Sequence, residues 1–348
     1  MAKIIYGVSG EGSGHAMRSR EIIRFLKSAG HQVYIVGYDR SVAILKPESD
    51  FLEVAGFNIT YRYNSVMRLQ TVWRNAWRTP EIMRSYFELT SLVEKWKPNI
   101  IITDFEPLTS QVAIRHNLPL LSIDNIHQLT LDKNIPWDYQ DDWLIARAII
   151  KLIVPRADWR IISVLRPRQK NLPALTEIAP IIRPAILGAQ PSSGSNIVVY
   201  DSFANQPLPR LLKKTPFNYV IYGFPHEGRD GNLTYRNFSE KNFLNDLLKS
   251  RAVIGSGGFT LLSECLVLGK PYLAFPVAHQ AEQIENGLEL ERIGFGKMSL
   301  NPTAQTIIDF MTNLSQFRPC LRQYKHPGNE SAFQLINQTI KSLSVKHL

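Results

Sequence analysis

The sequence predicts an α/β protein made of two doubly wound domains, and three observations carry that expectation. At 348 residues the chain exceeds the size at which one hydrophobic core usually stops growing. Short apolar runs alternate with helix-period segments in both halves. Each half also places a glycine-rich turn between an apolar run and a helix, Ser9-Gly10-Glu11-Gly12-Ser13-Gly14-His15 in the first and Gly255-Ser256-Gly257-Gly258 in the second.

Taken in order, residues 3–8 are expected as a strand, 9–15 as a loop and 16–29 as a helix, with Gly30 in the place of a C′ glycine. A second strand follows at 32–37. Lys97-Pro98 introduce a buried strand at 99–103, and a helix at 107–116 leads to another strand at 119–123. The glycine, proline and serine content of 187–195 marks a linker. Strands are then expected at 196–200, 218–222, 232–236, 252–254 and 271–275, with helices at 241–248 and from Phe259 onward. The tail 330–345 is helical in pattern. The domain division is therefore 1–188 and 189–329, with a closing helix in 330–348. Ligands of such sheets bind beyond the carboxyl ends of the strands. The turns at 9–15 and 255–260 are accordingly expected to face each other across a gap between the domains.

Hydrophobic residues make up 44% and charged residues 20% of the chain, the balance of a soluble globular protein with material for two cores. Cys265 and Cys320 suggest no disulfide framework, and Cys265, in an apolar helix, reads as a core thiol. No apolar run reaches the length of a membrane span, and the N-terminus lacks the apolar region of a signal peptide. A cytoplasmic protein is expected. The net charge is +10. Arg62, Arg68, Arg74, Arg78 and Arg84 are opposed only by Glu81, and Arg147, Lys151, Arg156, Arg160, Arg166, Arg168 and Lys170 only by Asp158. Such stretches attract anions. No nucleic-acid motif accompanies them, and the arginines are scattered over a sheet protein, so nucleic acid is not the expected partner.

The stretch 253–296, VIGSGGFTLLSECLVLGKPYLAFPVAHQAEQIENGLELERIGFG, is the most specific in the chain. A glycine loop feeding a helix N-terminus is an anion site, because free N–H groups and the helix dipole both favour negative charge. Thr260 lies in the first turn. Glu264, about one turn on, would repel a phosphate yet can accept two hydrogen bonds from a ribose diol. His279 and Gln280 follow the next strand, and Gln283 and Asn286 share a helix face at i, i+3. The loop at 9–15 has its own competing reading as a dinucleotide fingerprint. Gly10 and Gly12 fit, but His15 occupies the third glycine position, Gly14 falls one place early, and Asp39 would have to serve as the ribose acid.

The pattern small-Gly-small, Thr, Ser-Glu, Gly-x-Pro, apolar-Pro, His, Gln and Asn across 253–296 resembles the donor half of GT-B glycosyltransferases, above all the branch with the peptidoglycan GlcNAc transferase and the UDP-glycosyltransferases. GEGSGHAMRSR, at 10–20, is very similar to a loop in a group of uncharacterised bacterial and archaeal glycosyltransferases. The resemblance spans nearly the whole chain but is sharp only in these two places. It implies the GT-B fold and transfer from a nucleotide-diphosphate sugar, most naturally a UDP-sugar, to a hydroxyl acceptor with inversion. It implies that Gly255, Ser256, Gly257, Gly258, Phe259 and Thr260 cradle the diphosphate, that Glu264 binds the ribose, and that Gln283 faces the sugar. His279, Gln280 and Asn286 join them, and by family position Ser202 is a further donor candidate while the loop at Phe238-Ser239 grips the base. No metal-ligand cluster stands out, and the fold works without an obligatory cation, so no cofactor is expected.

Such a transfer needs a base for the acceptor hydroxyl, and histidine titrates close enough to working pH to be one. His15 is the candidate; at a helix N-terminus the dipole favours its neutral form. Asp104 is expected to orient it, as in the His–Asp pairs of related enzymes, with Asp124 and Glu11 as runners-up. Gly12, Ser13, Gly14, Asp124 and His127 are the acceptor-side candidates, His127 being equally readable as structural. Val66, Leu69, Trp73, Ala76 and Trp77 recur at helical spacing with arginines between them. That segment reads either as a helix packed on its own domain with arginines facing water, or as an amphipathic helix on an anionic membrane, which would suit a lipid acceptor. Beside glycosyl transfer stand a non-hydrolysing UDP-GlcNAc 2-epimerase on the same fold, a silent sugar-nucleotide sensor or membrane adaptor, and an NAD-dependent enzyme.

Overall fold

KIIYGV at the start of the chain is apolar on both faces, which suits a parallel strand covered from both sides. In the computed structural model this segment is β1 (Lys3–Val8), and all but Lys3 of it is buried. The structure describes residues 1–62, 65–131, 135–168, 172–201 and 207–346. After β1 come α1 (Ser13–Ser28), β2 (Gln32–Gly37), α2 (Arg40–Leu45), β3 (Asp50–Glu53), the short pair β4 (Tyr61–Arg62) and β5 (Ser65–Val66), α3 (Arg68–Trp77) and α4 (Thr79–Trp96). Next are β6 (Ile100–Asp104), α5 (Pro107–Arg115), β7 (Leu120–Asp124), a 3-10 turn (Ile126–Thr130), α6 (Gln140–Ile153), β8 (Trp159–Ser163) and β9 (Leu175–Ile178). Seven of these strands form one sheet in the order β3-β2-β1-β6-β7-β8-β9, every pairing parallel.

The second half runs α7 (Pro184–Leu187), β10 (Ile197–Tyr200), α8 (Pro207–Leu212), β11 (Tyr219–Tyr222), β12 (Gly228–Asp230), β13 (Leu233–Tyr235), α9 (Glu240–Lys249), β14 (Ala252–Gly255) and α10 (Phe259–Val267). It continues with β15 (Tyr272–Ala274), α11 (Ala281–Arg292), β16 (Gly296–Met298), α12 (Ala304–Thr312), α13 (Arg318–Gln323) and α14 (Glu330–Lys346). Its seven-stranded sheet has the order β12-β13-β11-β10-β14-β15-β16, parallel except where β12 meets β13.

The chain divides into two compact units. One comprises Met1–Thr60, Met67–Arg183 and Pro327–Leu348; the other comprises Tyr61–Val66 and Pro184–His326. The β4–β5 pair belongs to the second unit, where the Val66 N–H donates to the Ala278 carbonyl at 3.1 Å. In the first unit the two sheet faces bury different helices. Ile4, Tyr6 and Val8 of β1 pack with Ile22, Ile23 and Leu26 of α1 and with Ala332, Ile336, Ile340 and Leu343 of α14. The opposite face places Ile5 and Ile101 against Leu89 and Val93 of α4 and Leu108 and Val112 of α5. The spacing of the four α14 residues is that of one helical face. Phe25 and Phe333 stack beside them at 4.7 Å.

Two boundaries differ from expectation in ways that move functional groups. The strands expected at 99–103 and 119–123 are shifted one residue on, to β6 and β7, so Asp104 and Asp124 are the last residues of neighbouring strands. At the start of β6, the side-chain oxygen of Asn99 takes the Lys3 N–H at 2.7 Å. Pro119, before β7, has no N–H to offer a ladder. At the far end Asp104 pairs with Val8 and Asp124 with Ile162. Helix α1 also begins at Ser13 rather than Ala16, because Gly12 turns the chain at φ 89°, a left-handed conformation that favours glycine. His15 therefore sits in the first turn of a helix.

Candidate active site

In the first unit the site is built from one face of α1 and the ends of β6 and β7. His15, Arg18 and Ser19 are spaced i, i+3, i+4 and so point the same way. All three meet Asp104. His15 Nδ1 lies 2.7 Å from Asp104 Oδ1. Arg18 donates through Nε to Oδ2 at 3.0 Å and through Nη2 to Oδ1 at 2.6 Å. Ser19 Oγ donates to Oδ2 at 2.9 Å. Arg18 Nη2 is also 3.0 Å from His15 Nδ1, and Arg18 Nη1 donates to Asn125 Oδ1 at 2.8 Å.

The network assigns the histidine tautomer. An ionised carboxylate only accepts, so at 2.7 Å from Asp104 Oδ1 it is Nδ1 that carries the proton. Nε2 is then the nitrogen with the lone pair. Asp104 is fully buried, and burial alone would raise its carboxyl. The Arg18 guanidinium, and after it His15, outweigh burial and hold that carboxyl below the usual carboxylate range. Arg18 shows the converse balance: burial disfavours its charge, and Asp104 more than restores it. Sequence reasoning missed Arg18, Ser19 and Asn125. The i+3 and i+4 spacing from His15 was the available signal for the first two; Asn125 is visible only once β7 lies beside β6.

The runners-up are engaged elsewhere. Asp124 accepts from the His127 backbone N–H at 2.8 Å and from Ser122 Oγ at 2.7 Å, and its Oδ2 lies 2.7 Å from His127 Nδ1. Burial would raise this carboxyl, but the neighbouring His127 and these hydrogen bonds hold it far below its ordinary value. His127 Nε2 is buried and has no hydrogen-bond partner. Glu11 accepts from the Ile59 N–H at 2.7 Å, and burial pushes its carboxyl upward despite that bond. Gly12 is the N-cap of α1 and supplies no side-chain cap.

In the second unit, β14 ends at Gly255 and α10 begins at Phe259 with Gly258 as an uncapped N-cap. Gly257 has φ 81°, and a Cβ there would lie 3.0 Å from the Gln283 carbonyl oxygen, so both conformation and space call for glycine. Ser256 and Gly258 complete the turn and Thr260 follows in the first helical turn. Phe259 and Glu264 are buried, Glu264 at 2% exposure in the second turn. Asn286 Nδ2 donates to the Gly257 carbonyl at 2.9 Å, tying α11 to the glycine turn. Gln283 Oε1 accepts from the Val277 N–H at 2.9 Å. Gln280 is the N-cap of α11 and accepts from Glu282 and Gln283 N–H groups, and His279 before it has φ 65°. Ser202 lies outside the described residues. The predicted residues thus form two groups, His15, Asp104, Asp124 and His127 in the first unit and Gly255–Asn286 in the second. Among the described residues no cluster of three His, Cys, Asp or Glu could hold a metal ion.

The basic aromatic helix α3 inverts the packed-helix reading. Its inward residues are the polar Thr71 and Asn75. Asn75 accepts from the Asn58 N–H at 3.0 Å and donates to the Asn58 carbonyl at 2.8 Å, and Thr71 accepts from the Thr60 N–H at 3.0 Å. The cause is the irregular segment before β4, whose backbone needs those partners. Leu69, Val72, Trp73 and Trp77 are left outward, the tryptophans at 66% and 79% exposure. Arg68 pairs with Asp142 of α6, a helix that itself exposes Leu144 and Leu152. No helix among the described residues is long and apolar enough to cross a membrane.

A family model described as glycosyl transferase family 1 matches residues 2–315. An uncharacterised glycosyltransferase of Methanosarcina mazei is 21% identical over 351 residues, covering 88% of this chain and 88% of that protein. Among solved structures, the glycotransferase of kitacinnamycin superposes with a TM-score of 0.65 at 18% identity, covering 97% of this chain and 98% of that one. UGT2 of Phytolacca americana, solved with UDP-2fluoro-glucose and pterostilbene, superposes with a TM-score of 0.67 at 15% identity, covering 98% and 99%. These likenesses place the two parallel-rich sheets in the GT-B fold.

Proposed function

The chain belongs to glycosyl transferase family 1, and from that premise we propose that this glycosyltransferase moves a sugar from a UDP-sugar to a hydroxyl acceptor, with inversion and by direct displacement. His15 is the base. The acceptor oxygen forms its bond to the anomeric carbon while its proton passes to His15 Nε2. The bond from that carbon to the diphosphate breaks, and its electron pair leaves with the nucleotide. The turn Gly255–Gly258 and the first N–H groups of α10 stabilise the charge that develops there, with Thr260 adding a donor. Glu264 takes the ribose hydroxyls, and Gln283, with its neighbours His279 and Asn286, lines the sugar. The first unit receives the acceptor.

The observation that carries this reading is the 2.7 Å contact of His15 Nδ1 with Asp104, which fixes the tautomer a base requires. Thermal shift against UDP-, GDP-, TDP- and ADP-sugars tests the donor half. The melting temperature is expected to rise most with a UDP-sugar, and the rise is expected to shrink in Glu264→Gln. Equal indifference to all four donors overturns the reading.

A lipid acceptor at an anionic membrane surface is favoured by one observation, the outward tryptophans of α3 beside Arg74 and Arg78. Phosphatidylglycerol vesicles are expected to carry the protein upward in a flotation gradient at moderate salt, and Trp73→Ser with Trp77→Ser to weaken that. No co-flotation of the unmodified protein retires a membrane acceptor while leaving the transfer chemistry intact.

A further inference from the structure

Asp104 has more company than a simple His–Asp pair provides. Its two oxygens take both arms of Arg18 and the Ser19 hydroxyl in addition to His15. A lone carboxylate beside an imidazole favours the imidazolium by opposite charge. Here that charge is already met, at hydrogen-bond distance, by a guanidinium 3% exposed, whose Nη2 is also 3.0 Å from the imidazole itself. A second proton on His15 would therefore meet a neutralised carboxylate and a nearby fixed cation in a low-dielectric setting.

We infer that Arg18 is a positioning residue that anchors Asp104 and keeps His15 in the neutral, proton-accepting form. The fork matters as well as the charge. Nε and Nη2 hold one carboxylate oxygen each, which fixes the plane of Asp104 and through it the direction of the imidazole. Asn125 holds the remaining arm from the end of β7, so the arginine cannot swing away without breaking a bond to a second strand. Arg18 faces His15 from the same helix, Asp104 from β6 and Glu11 from the preceding loop; Asp124, one strand further, is spoken for by His127. Glu11 would favour the imidazolium only when ionised, and burial pushes its carboxyl upward. Arg18 is the cation at hydrogen-bond distance from both His15 and Asp104, and its removal should change the protonation of His15. The consequence for sugar transfer rests on the function proposed above. The electrostatic arrangement does not, and it can be read in the protein without any ligand.

The test is a pH titration of the full chain labelled with 15N-histidine, followed by long-range 1H–15N spectra, with the His15 signals assigned from His15→Gln. In the unmodified protein His15 is expected neutral at pH 7 with the proton on Nδ1. In Arg18→Met its midpoint is expected to rise by about one pH unit or more, the scale of an adjacent charge. Arg18→Lys, which keeps the charge and loses the fork, is expected to fall between. Asn125→Asp is a milder route to the same end, because a new carboxylate at Nη1 offsets the arginine without removing it, and His15 should again rise. An unmodified His15 already doubly protonated at pH 7 overturns the inference without any variant. So does a midpoint unmoved in Arg18→Met, or in Asn125→Asp should Arg18→Met not fold. A purely packing role for Arg18 predicts that unmoved midpoint. Failure here would leave glycosyl transfer standing, and absence of donor binding would leave this titration unaffected.

Discussion

Two histidine–aspartate pairs stand at the ends of adjacent strands, and the same N···O distance of 2.7 Å joins each. His15 reaches Asp104 from a different element, the first turn of α1. His127 reaches Asp124 from three residues along the same stretch of chain. Asp104 is held directly by an arginine; Asp124 is held by its own histidine, a serine hydroxyl and a backbone N–H, and feels Arg18 only through charge at longer range. His127 Nε2 is sealed in the interior, while His15 retains 7% exposure beside a glycine turn. The difference teaches that an imidazole–carboxylate contact alone does not make a base. Under the proposed function the first pair is the one that meets the substrate, while the second closes the turn after β7.

The largest separation between them should come from removing each imidazole. His15→Ala is expected to lower transfer by about 100- to 10,000-fold. His127→Gln is expected to keep activity within about tenfold and to lower the melting temperature instead. Paired rates and melting curves check this, and equal losses of rate would erase the distinction.

The carboxylates should differ next. Asp104→Asn strands a buried guanidinium and is expected to destabilise by about 3–5 kcal/mol. Asp124→Asn leaves no unpaired cation of that kind and should cost about 1–3 kcal/mol. Urea unfolding at neutral pH ranks the two; the reverse order would mean that Arg18 finds another partner.

Acid should weaken both pairs. Each carboxyl is held below its unfolded value, so its contribution is complete above the ordinary carboxylate range and is lost as the pH falls through the folded value. Stability measured from pH 7 down to pH 3 should accordingly fall more steeply in the unmodified protein than in Asp124→Asn. Parallel curves would remove Asp124 from the list of acid-sensitive groups.

The smallest effect carries the contrast of poised and structural residues to the second unit. Gly257→Ala meets both a positive φ and a carbonyl oxygen at 3.0 Å and should cost about 1–3 kcal/mol. Gly258→Ala has φ −61° and open space around it, so it should cost only the N-cap preference for glycine over alanine, about 0.5–1 kcal/mol. Melting curves of the two variants check the difference, and equal costs would mean that the turn relaxes freely.

Much of the architecture was legible because parallel strands buried on both faces leave continuous apolar runs. β1 and β2 have the bounds expected from such runs, and β6 and β7 are displaced by one residue. The α/β class and the two-sheet plan follow from that alternation, since helices must separate parallel strands. The helix start at Ser13 was less visible, because a lone glycine at positive φ leaves the same trace in sequence as a longer glycine loop. The sequence leaves open, between two readings, whether the tryptophans of α3 turn inward or outward. Helical spacing fixes which residues share a face, and only the neighbouring backbone at 58–60 decides that the polar face turns inward.

The sequence by itself determined the fold class, the family and the chemical types available at each turn, because periodicity, glycine placement and motif spacing are local properties. The tertiary structure decided among the three acids offered to His15 in favour of Asp104, and it alone showed that Arg18 stands between Asp104 and Asn125. Those contacts join residues 86 to 107 positions apart, and strand order rather than any local preference brings them within reach.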